Sequence, residues 1–181
     1  VGMGADVLMF DINEKRLEEL NAYFEGKITT VLATKEHIGA HLPLMDVVIG
    51  AVLVKGAKAP KLISKDMLSL MRPQSVLVDV AVDQGGCFET TRPTTHENPT
   101  YLVDGILHYA VANMPGAVPQ TSTKALSRVT FPYLMELASI PLNQLDDNFK
   151  KGINTYNGHI TNKEVADAFQ LPYTPLANIL D

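Results

Sequence analysis

Ser75-Val76-Leu77-Val78-Asp79-Val80-Ala81-Val82-Asp83-Gln84-Gly85-Gly86 sets the architecture of this chain. Residues 75–82 are almost all apolar, with repeated valine, and read as a strong strand. Two carboxylates, Asp79 and Asp83, flank its apolar end, and a double glycine follows. A carboxylate at the end of a buried strand beside flexible backbone is an unusual arrangement. Glycine there permits conformations that other residues resist and leaves space beside a ligand. Burial at that place is expected to raise the Asp83 pKa and to make it a proton donor or acceptor. The plainer reading is a turn residue.

Upstream, residues 46–54 form a second nearly continuous apolar run, interrupted by Gly50, which suits a parallel strand covered on both faces. Between these two strands, residues 60–70 read as a helix, with Ser64 capping its second part. Nearer the start, Val7-Leu8-Met9-Phe10 reads as a short buried strand ending at Asp11, followed by a helix over 13–24. A β-branched strand over 28–32 comes next, and then a short helix with Thr34 as its cap. Downstream, residues 85–99 read as a loop and 106–112 as a further strand.

Strands and helices in alternation predict an α/β fold: a doubly wound, Rossmann-type parallel sheet with right-handed crossovers. From Thr121 the character changes to a long helical pattern over 121–138, then shorter ones near 143–151 and 162–169. The expected organisation is a dinucleotide-binding domain over 1–120 and a helical C-terminal segment over 121–181.

Composition narrows the function. Across 181 residues, 46% are hydrophobic and 19% charged, which is enough apolar material for a sizeable core. A net charge of -5 with no basic stripe argues against nucleic-acid binding. The single cysteine, Cys87, excludes an internal disulfide, suits a reducing cytoplasm, and reads as a small buried hydrophobe. No apolar run is long enough to cross a bilayer. His37 and His41 are four apart without a third ligand nearby, so no metal site is expected. The chain opens with Val1-Gly2-Met3-Gly4-Ala5 running directly into a strand, and this reads as a cut or as missing upstream sequence.

Three further positions carry candidate chemistry. Asp11 ends the first strand just before a helix, where an acidic residue of a doubly wound fold accepts hydrogen bonds from the adenosine ribose and repels a 2′-phosphate. It also reads as the cap of that helix. Its usual companion, a Gly-rich turn about 20 residues upstream, has no room within the ten residues before it. Gly50-Ala51-Val52-Leu53 lies at the carboxyl end of a parallel strand, outside which ligands bind, and a small residue lets a cofactor ring approach. Asn113, in Val111-Ala112-Asn113-Met114-Pro115-Gly116, has the donor and acceptor that a carboxamide needs, or is a loop residue chosen for its backbone.

Taken in order and at near-family spacing, these segments resemble the alanine dehydrogenase family. The resemblance runs through Asp11-Ile12-Asn13, Val48 to Val54, Gly56-Ala57-Lys58-Ala59-Pro60 and Asp79 to Glu89. It continues through Arg92-Pro93-Thr94-Thr95, Val111 to Pro119 and Thr121-Ser122-Thr123. It implies NAD-dependent, reversible oxidative deamination of L-alanine to pyruvate and ammonia, in a homo-oligomer that is a hexamer in the family. It also implies that the Gly-rich turn and the N-terminal substrate domain, with its Arg, Lys and catalytic His, lie outside this sequence. This chain alone is then inactive, and residues from about Thr121 belong with the substrate domain.

The family roles fall on residues of this sequence. Asp11 would hold the adenosine ribose, with Arg16 at a nearby basic position. Val52 and Leu53 would pack on the cofactor. Val80, Ala81, Val82 and Asp83 would line the nicotinamide side, with Asp83 as the catalytic acidic residue. Arg92 matches a cofactor-contacting position. Val111, Ala112, Asn113 and Met114 would flank the nicotinamide. A family serine falls near Leu32 and Ala33 and has no counterpart, and His96 is not the family's catalytic histidine. Two rivals remain: the NAD-binding component of a proton-translocating transhydrogenase, and a non-catalytic NAD-binding module.

Overall fold

A computed structural model describes residues 1–52, 54 and 58–180. The chain divides into two compact units, Val1–Val52 with Pro60–Ala112, and Leu53–Ala59 with Asn113–Asp181.

The first unit holds six strands: β1 (Leu8–Asp11), β2 (Thr29–Leu32), β3 (Val47–Gly50), β4 (Val76–Asp79), β5 (Thr100–Val103) and β6 (Ile106–Tyr109). β1 pairs with β2 in parallel, and the other four form a sheet in the order β3-β4-β6-β5. β3, β4 and β6 run parallel, with Gly50 level with Asp79 and Val78 level with Tyr109. Helix α1 (Glu14–Tyr23) follows β1, and α2 (Lys35–His41) follows β2. Both helices start on side-chain caps: Asn13 accepts the Arg16 N–H at 3.1 Å, and Thr34 accepts the His37 N–H at 3.1 Å. This is the α/β, Rossmann-type arrangement expected from the alternation. The core gathers under the larger sheet, around Ile63, Leu68, Leu77, Phe88, Ile106 and Val111.

Four features differ from the sequence reading. Residues 60–70 are not an α-helix. Ile63 instead bridges in parallel to Phe88, with the Leu62 N–H donating to the Cys87 carbonyl at 2.7 Å and the Glu89 N–H donating to Ile63 at 2.9 Å. A 3-10 turn, Asp66–Leu70, then buries Met67 and Leu68. Pairing across more than twenty residues overrides the helical spacing of the apolar side chains.

The sheet is also mixed rather than wholly parallel. β5 runs antiparallel to β6 through the Asp104-Gly105 turn, both of whose residues have positive φ (50° and 81°). An Asp-Gly pair of this kind joins a hairpin whose strands keep their twist. β6 itself ends at Tyr109, and Val111 continues beyond it only as an isolated bridge to Thr94.

Finally, β3 is not covered on both faces. Val47 and Ile49 are 51% and 64% exposed, while Gly50 on the opposite face is buried. Alternation along the strand places the two apolar side chains together on the open face.

In the second unit, a 3-10 turn, Met114–Ala117, leads into α3 (Pro119–Ser139). None of the side chains of α3 is buried, and Leu126, Val129, Phe131, Leu134 and Leu137 stand exposed. A one-turn helix α4 (Asp147–Lys150) starts where Asp146 accepts the Phe149 N–H at 2.8 Å. A hairpin of β7 (Thr155–Tyr156) and β8 (His159–Ile160) turns on Asn157-Gly158, and α5 (Lys163–Phe169) follows, capped by Asn162. Among the described residues, no helix is long and apolar enough to cross a membrane.

Candidate active site

Within the larger sheet, the parallel strands β3, β4 and β6 present their carboxyl ends along one edge, and ligands of open α/β sheets bind outside that edge. The end of β4 carries the most elaborate chemistry. Asp79 is 1% exposed, and its carboxylate accepts the backbone N–H groups of Ala81 at 3.1 Å, Cys87 at 2.9 Å and Phe88 at 3.4 Å, and also the Thr91 hydroxyl. Three backbone N–H groups and a hydroxyl from one loop converge on one buried carboxylate, which meets the requirement that buried polar groups be hydrogen-bonded.

Asp79 also caps a 3-10 turn, Val80–Gln84, that reverses the direction of the chain. Ala81 and Val82 pack inward, while Val80 and Asp83 face out. The expectation that Asp83 is buried is therefore corrected: Asp83 is exposed, and the buried acid is Asp79. Gly85 and Gly86 close the turn with φ of 90° and 73°. A Cβ on Gly86 would fall 2.5 Å from the Thr91 methyl and 2.7 Å from the Asp79 Oδ2, so this glycine serves the carboxylate's own hydrogen-bond shell.

Gly50 has a similar explanation. A Cβ there would lie 2.1 Å from the Cys87 sulfur and 2.7 Å from the Phe88 ring, so its missing side chain makes room for these two core residues rather than for a cofactor ring. Cys87 is wholly buried, and its thiol lies 3.5 Å from the Asp79 Oδ1. Burial, then the Asp79 charge, push the thiol up to about 12. It is a buried small side chain, as its sequence context suggested, and not a nucleophile.

Asp11 ends β1 half-buried, with its Oδ1 accepting the Asn13 N–H at 2.8 Å. The helix cap is Asn13, which removes the capping explanation for Asp11. A carboxylate has about four lone-pair positions, so this one bond leaves capacity to accept ribose hydroxyls. Arg16 is exposed and paired with Glu19 at 3.1 Å, a surface contact of little energetic consequence.

Arg92 lies with its guanidinium carbon 3.9 Å from the Tyr101 ring centroid. Tyr101 stacks on His108 at 4.9 Å, and its hydroxyl donates to the Thr90 carbonyl at 2.9 Å while accepting the Arg92 N–H at 2.9 Å. His108 is buried, and burial holds its pKa below the ordinary histidine value. Its Nδ1 faces the Ile106 carbonyl at 3.0 Å and so carries the proton, leaving Nε2 to accept from the Thr90 hydroxyl at 2.8 Å. These residues tie the loop after Gly86 to β5 and β6.

Of the remaining candidates, Val52 is half-buried at the end of β3, and Leu53 lies outside the described residues. Val111 is wholly buried and Ala112 half-buried. Asn113 and Met114 fall in the second unit, where Asn113 holds a left-handed backbone (φ 52°) before the turn Met114–Ala117. Asparagine tolerates that conformation better than most residues, so backbone geometry accounts for part of its presence. His37 and His41 turn their Nδ1 atoms to the carbonyls of Leu32 and His37. A cavity of about 200 Å³ beside the end of β2 is lined by Ala33, Thr34, Lys35, Ile38, Lys61 and Met67, and by none of the expected cofactor contacts.

The family described as "Alanine dehydrogenase/PNT, C-terminal domain" matches residues 1–163. The chain belongs to this family. Relatives called alanine dehydrogenase in Halomonas elongata and Staphylococcus epidermidis are 50% and 49% identical to it, each over 99% of the chain. The chain spans about half the length of these curated relatives, 49% and 50% of them respectively. A solved structure titled L-alanine dehydrogenase superposes with a TM-score of 0.82 at 44% identity, over 93% of this chain and 47% of that one. A transhydrogenase from Sinorhizobium meliloti superposes with a TM-score of 0.63 at 26% identity, over 75% of this chain and 39% of that one. Within the alanine dehydrogenase/PNT family, the likeness to the dehydrogenases is the fuller of the two.

Proposed function

We propose that this chain is the C-terminal half of an NAD-dependent alanine dehydrogenase, which oxidises L-alanine to pyruvate and ammonia, and reverses the reaction, in the cytoplasm. The observation that carries the reading is about 50% identity along 99% of the chain to proteins called alanine dehydrogenase. The transhydrogenase reading draws on a match of lower identity over less of the chain.

The residues suit a dinucleotide. Asp11, at the carboxyl end of a parallel strand, has the charge and the remaining acceptor capacity for a ribose diol and would repel a 2′-phosphate. Val52 and Leu53 after β3, Val80 to Asp83 after β4, Arg92 after the double glycine and Val111 to Met114 after β6 are the segments assigned to the rest of the cofactor. NAD, when bound, supplies the hydride acceptor for oxidation of the alanine α-carbon.

The protein's own part is proton handling and orientation. Asp83, held out on a turn capped by Asp79, can take or return a proton at its carboxylate as water adds and ammonia leaves. The substrate-binding cations and the second acid–base group come from the N-terminal half. The exposed apolar side chains of α3 are then covered by the rest of the enzyme and by other copies in a homo-oligomer.

Replacing Asp83 with Asn in the full-length enzyme tests the assignment. Turnover is expected to fall by about two to four orders of magnitude, as for loss of a general acid–base. Turnover at the parental rate would remove Asp83 from the chemistry.

A further inference from the structure

We infer that Lys61 is a positioning residue that clamps the loop bearing Asp83. Its Nζ donates to three carbonyls of that loop, Gly85 at 2.6 Å, Gly86 at 2.8 Å and Phe88 at 3.0 Å. The inference rests on the reading of Asp83 as the residue that exchanges protons.

The need for a cation arises from the backbone. Gly85 and Gly86 are consecutive left-handed residues, with φ of 90° and 73°. The carbonyls of Gly85, Gly86 and Phe88 meet at one point, so the loop presents three acceptors to a single donor group. An ammonium has three donors and no acceptor, which matches three converging carbonyls, and bonds from a charged donor are about twice as strong as neutral ones.

Lys61 is brought there by pairing in the chain itself. The Leu62 N–H donates to the Cys87 carbonyl, Ile63 bridges to Phe88, and the Glu89 carboxylate accepts the Lys65 N–H at 2.6 Å. The segment after Lys61 is thus stitched along the segment after Gly86, and the lysine side chain crosses the turn at their shared start.

Two oppositely charged groups therefore grip one loop. Asp79, from the core, takes its N–H groups, and Lys61, from the other side, takes its carbonyls. Asp83 lies in the five-residue turn between these anchors, fixed at its start by the Asp79 cap and at its end by Gly85. Asp83 is exposed, and these two grips hold the backbone on either side of it. Misplacement of a reacting group by an ångström can cost about 100-fold in rate.

The test compares the full-length enzyme with Lys61→Met, which keeps the aliphatic stem, and Lys61→Arg, which keeps the charge but has a planar fork that cannot meet three converging carbonyls. Amide hydrogen exchange over residues 83–91 is expected to quicken about tenfold or more in both variants while exchange in β4 and β6 stays slow. kcat for L-alanine oxidation is expected to fall at least about tenfold, by more than any rise in the KM for NAD. Unchanged exchange over 83–91 overturns the clamp, and faster exchange with parental kcat overturns its positioning role. Full recovery by Lys61→Arg also overturns it, because charge alone would then suffice. If the parental enzyme shows no L-alanine turnover, it is the functional reading that fails, and hydrogen exchange still decides whether Lys61 holds the loop.

Discussion

Asp79 and Cys87 are joined twice: the Cys87 N–H donates to Oδ2 at 2.9 Å, and the Cys87 thiol lies 3.5 Å from Oδ1. The pair closes the loop that leaves β4 and returns to the core at Phe88. Around it gather Thr91, Gly86 and Gly50, each shaped by the demands of a buried carboxylate or a buried sulfur.

Asp79→Ala leaves several buried N–H groups without an acceptor. Each such group costs about 1–3 kcal/mol, so a loss of about 3 kcal/mol or more is expected. Asp79→Asn, which retains one acceptor oxygen, should cost less. Urea denaturation of the full-length enzyme checks the order; equal stability of Asp79→Ala and the parent would contradict the hub.

The Cys87 thiol, pushed up to about 12 by burial and by Asp79, stays protonated and covered at ordinary pH. In the native enzyme a thiol reagent at pH 8 should leave it unmodified, and unfolding in guanidinium should release it. Mass spectrometry of the peptide containing Cys87 reads the outcome. Rapid native labelling would show that the thiol is open.

Gly50→Ala puts a methyl into the space of the Cys87 sulfur and the Phe88 ring. Overpacking of this kind costs about 1–3 kcal/mol. Adding Cys87→Ala removes the nearer clash and should restore part of the loss. A double-mutant cycle measures this, and strict additivity of the two substitutions would mean that they do not meet.

His108 makes stability depend on pH. Burial lowers its pKa in the folded chain below the value of about 6.5 that it has when unfolded. The unfolded state therefore binds more protons in that window, and stability rises with pH through it. The contribution is complete above about pH 6.5 and is lost as pH falls through the folded pKa. The Arg92 charge acts in the same direction as burial, while the Ile106 carbonyl and Asp79 oppose it. His108→Gln should flatten this part of the profile relative to the parent; superimposable profiles would exclude His108 as the source.

Much of the scaffold was legible in the sequence because it is encoded locally. Apolar runs marked β1, β2, β3, β4 and β6, and Thr34 caps the helix it precedes as expected, while the cap expected at Asp11 falls on Asn13. Residues 60–70 misled because Leu62, Ile63, Met67 and Leu68 have helical spacing, whereas the backbone of Leu62 and Ile63 is claimed by the stretch around Phe88, more than twenty residues away. β5 is no shorter than the strands that were read, and the Asp104-Gly105 pair that follows it is the signal that would have found the hairpin.

At the candidate site, the sequence offers Asp79 and Asp83 as two carboxylates four residues apart, and its reading places the burial at Asp83. A 3-10 turn between them decides it, sending one inward and the other out. The part played by Lys61 depends on pairing across 24 residues or more and leaves no local pattern.

The central claim is most directly tested by L-alanine-dependent reduction of NAD by the full-length enzyme. NADH should form with L-alanine and NAD, much more slowly with NADP because of Asp11, and pyruvate with ammonia should reverse it. A protein that binds NAD but forms no NADH from L-alanine would contradict the account.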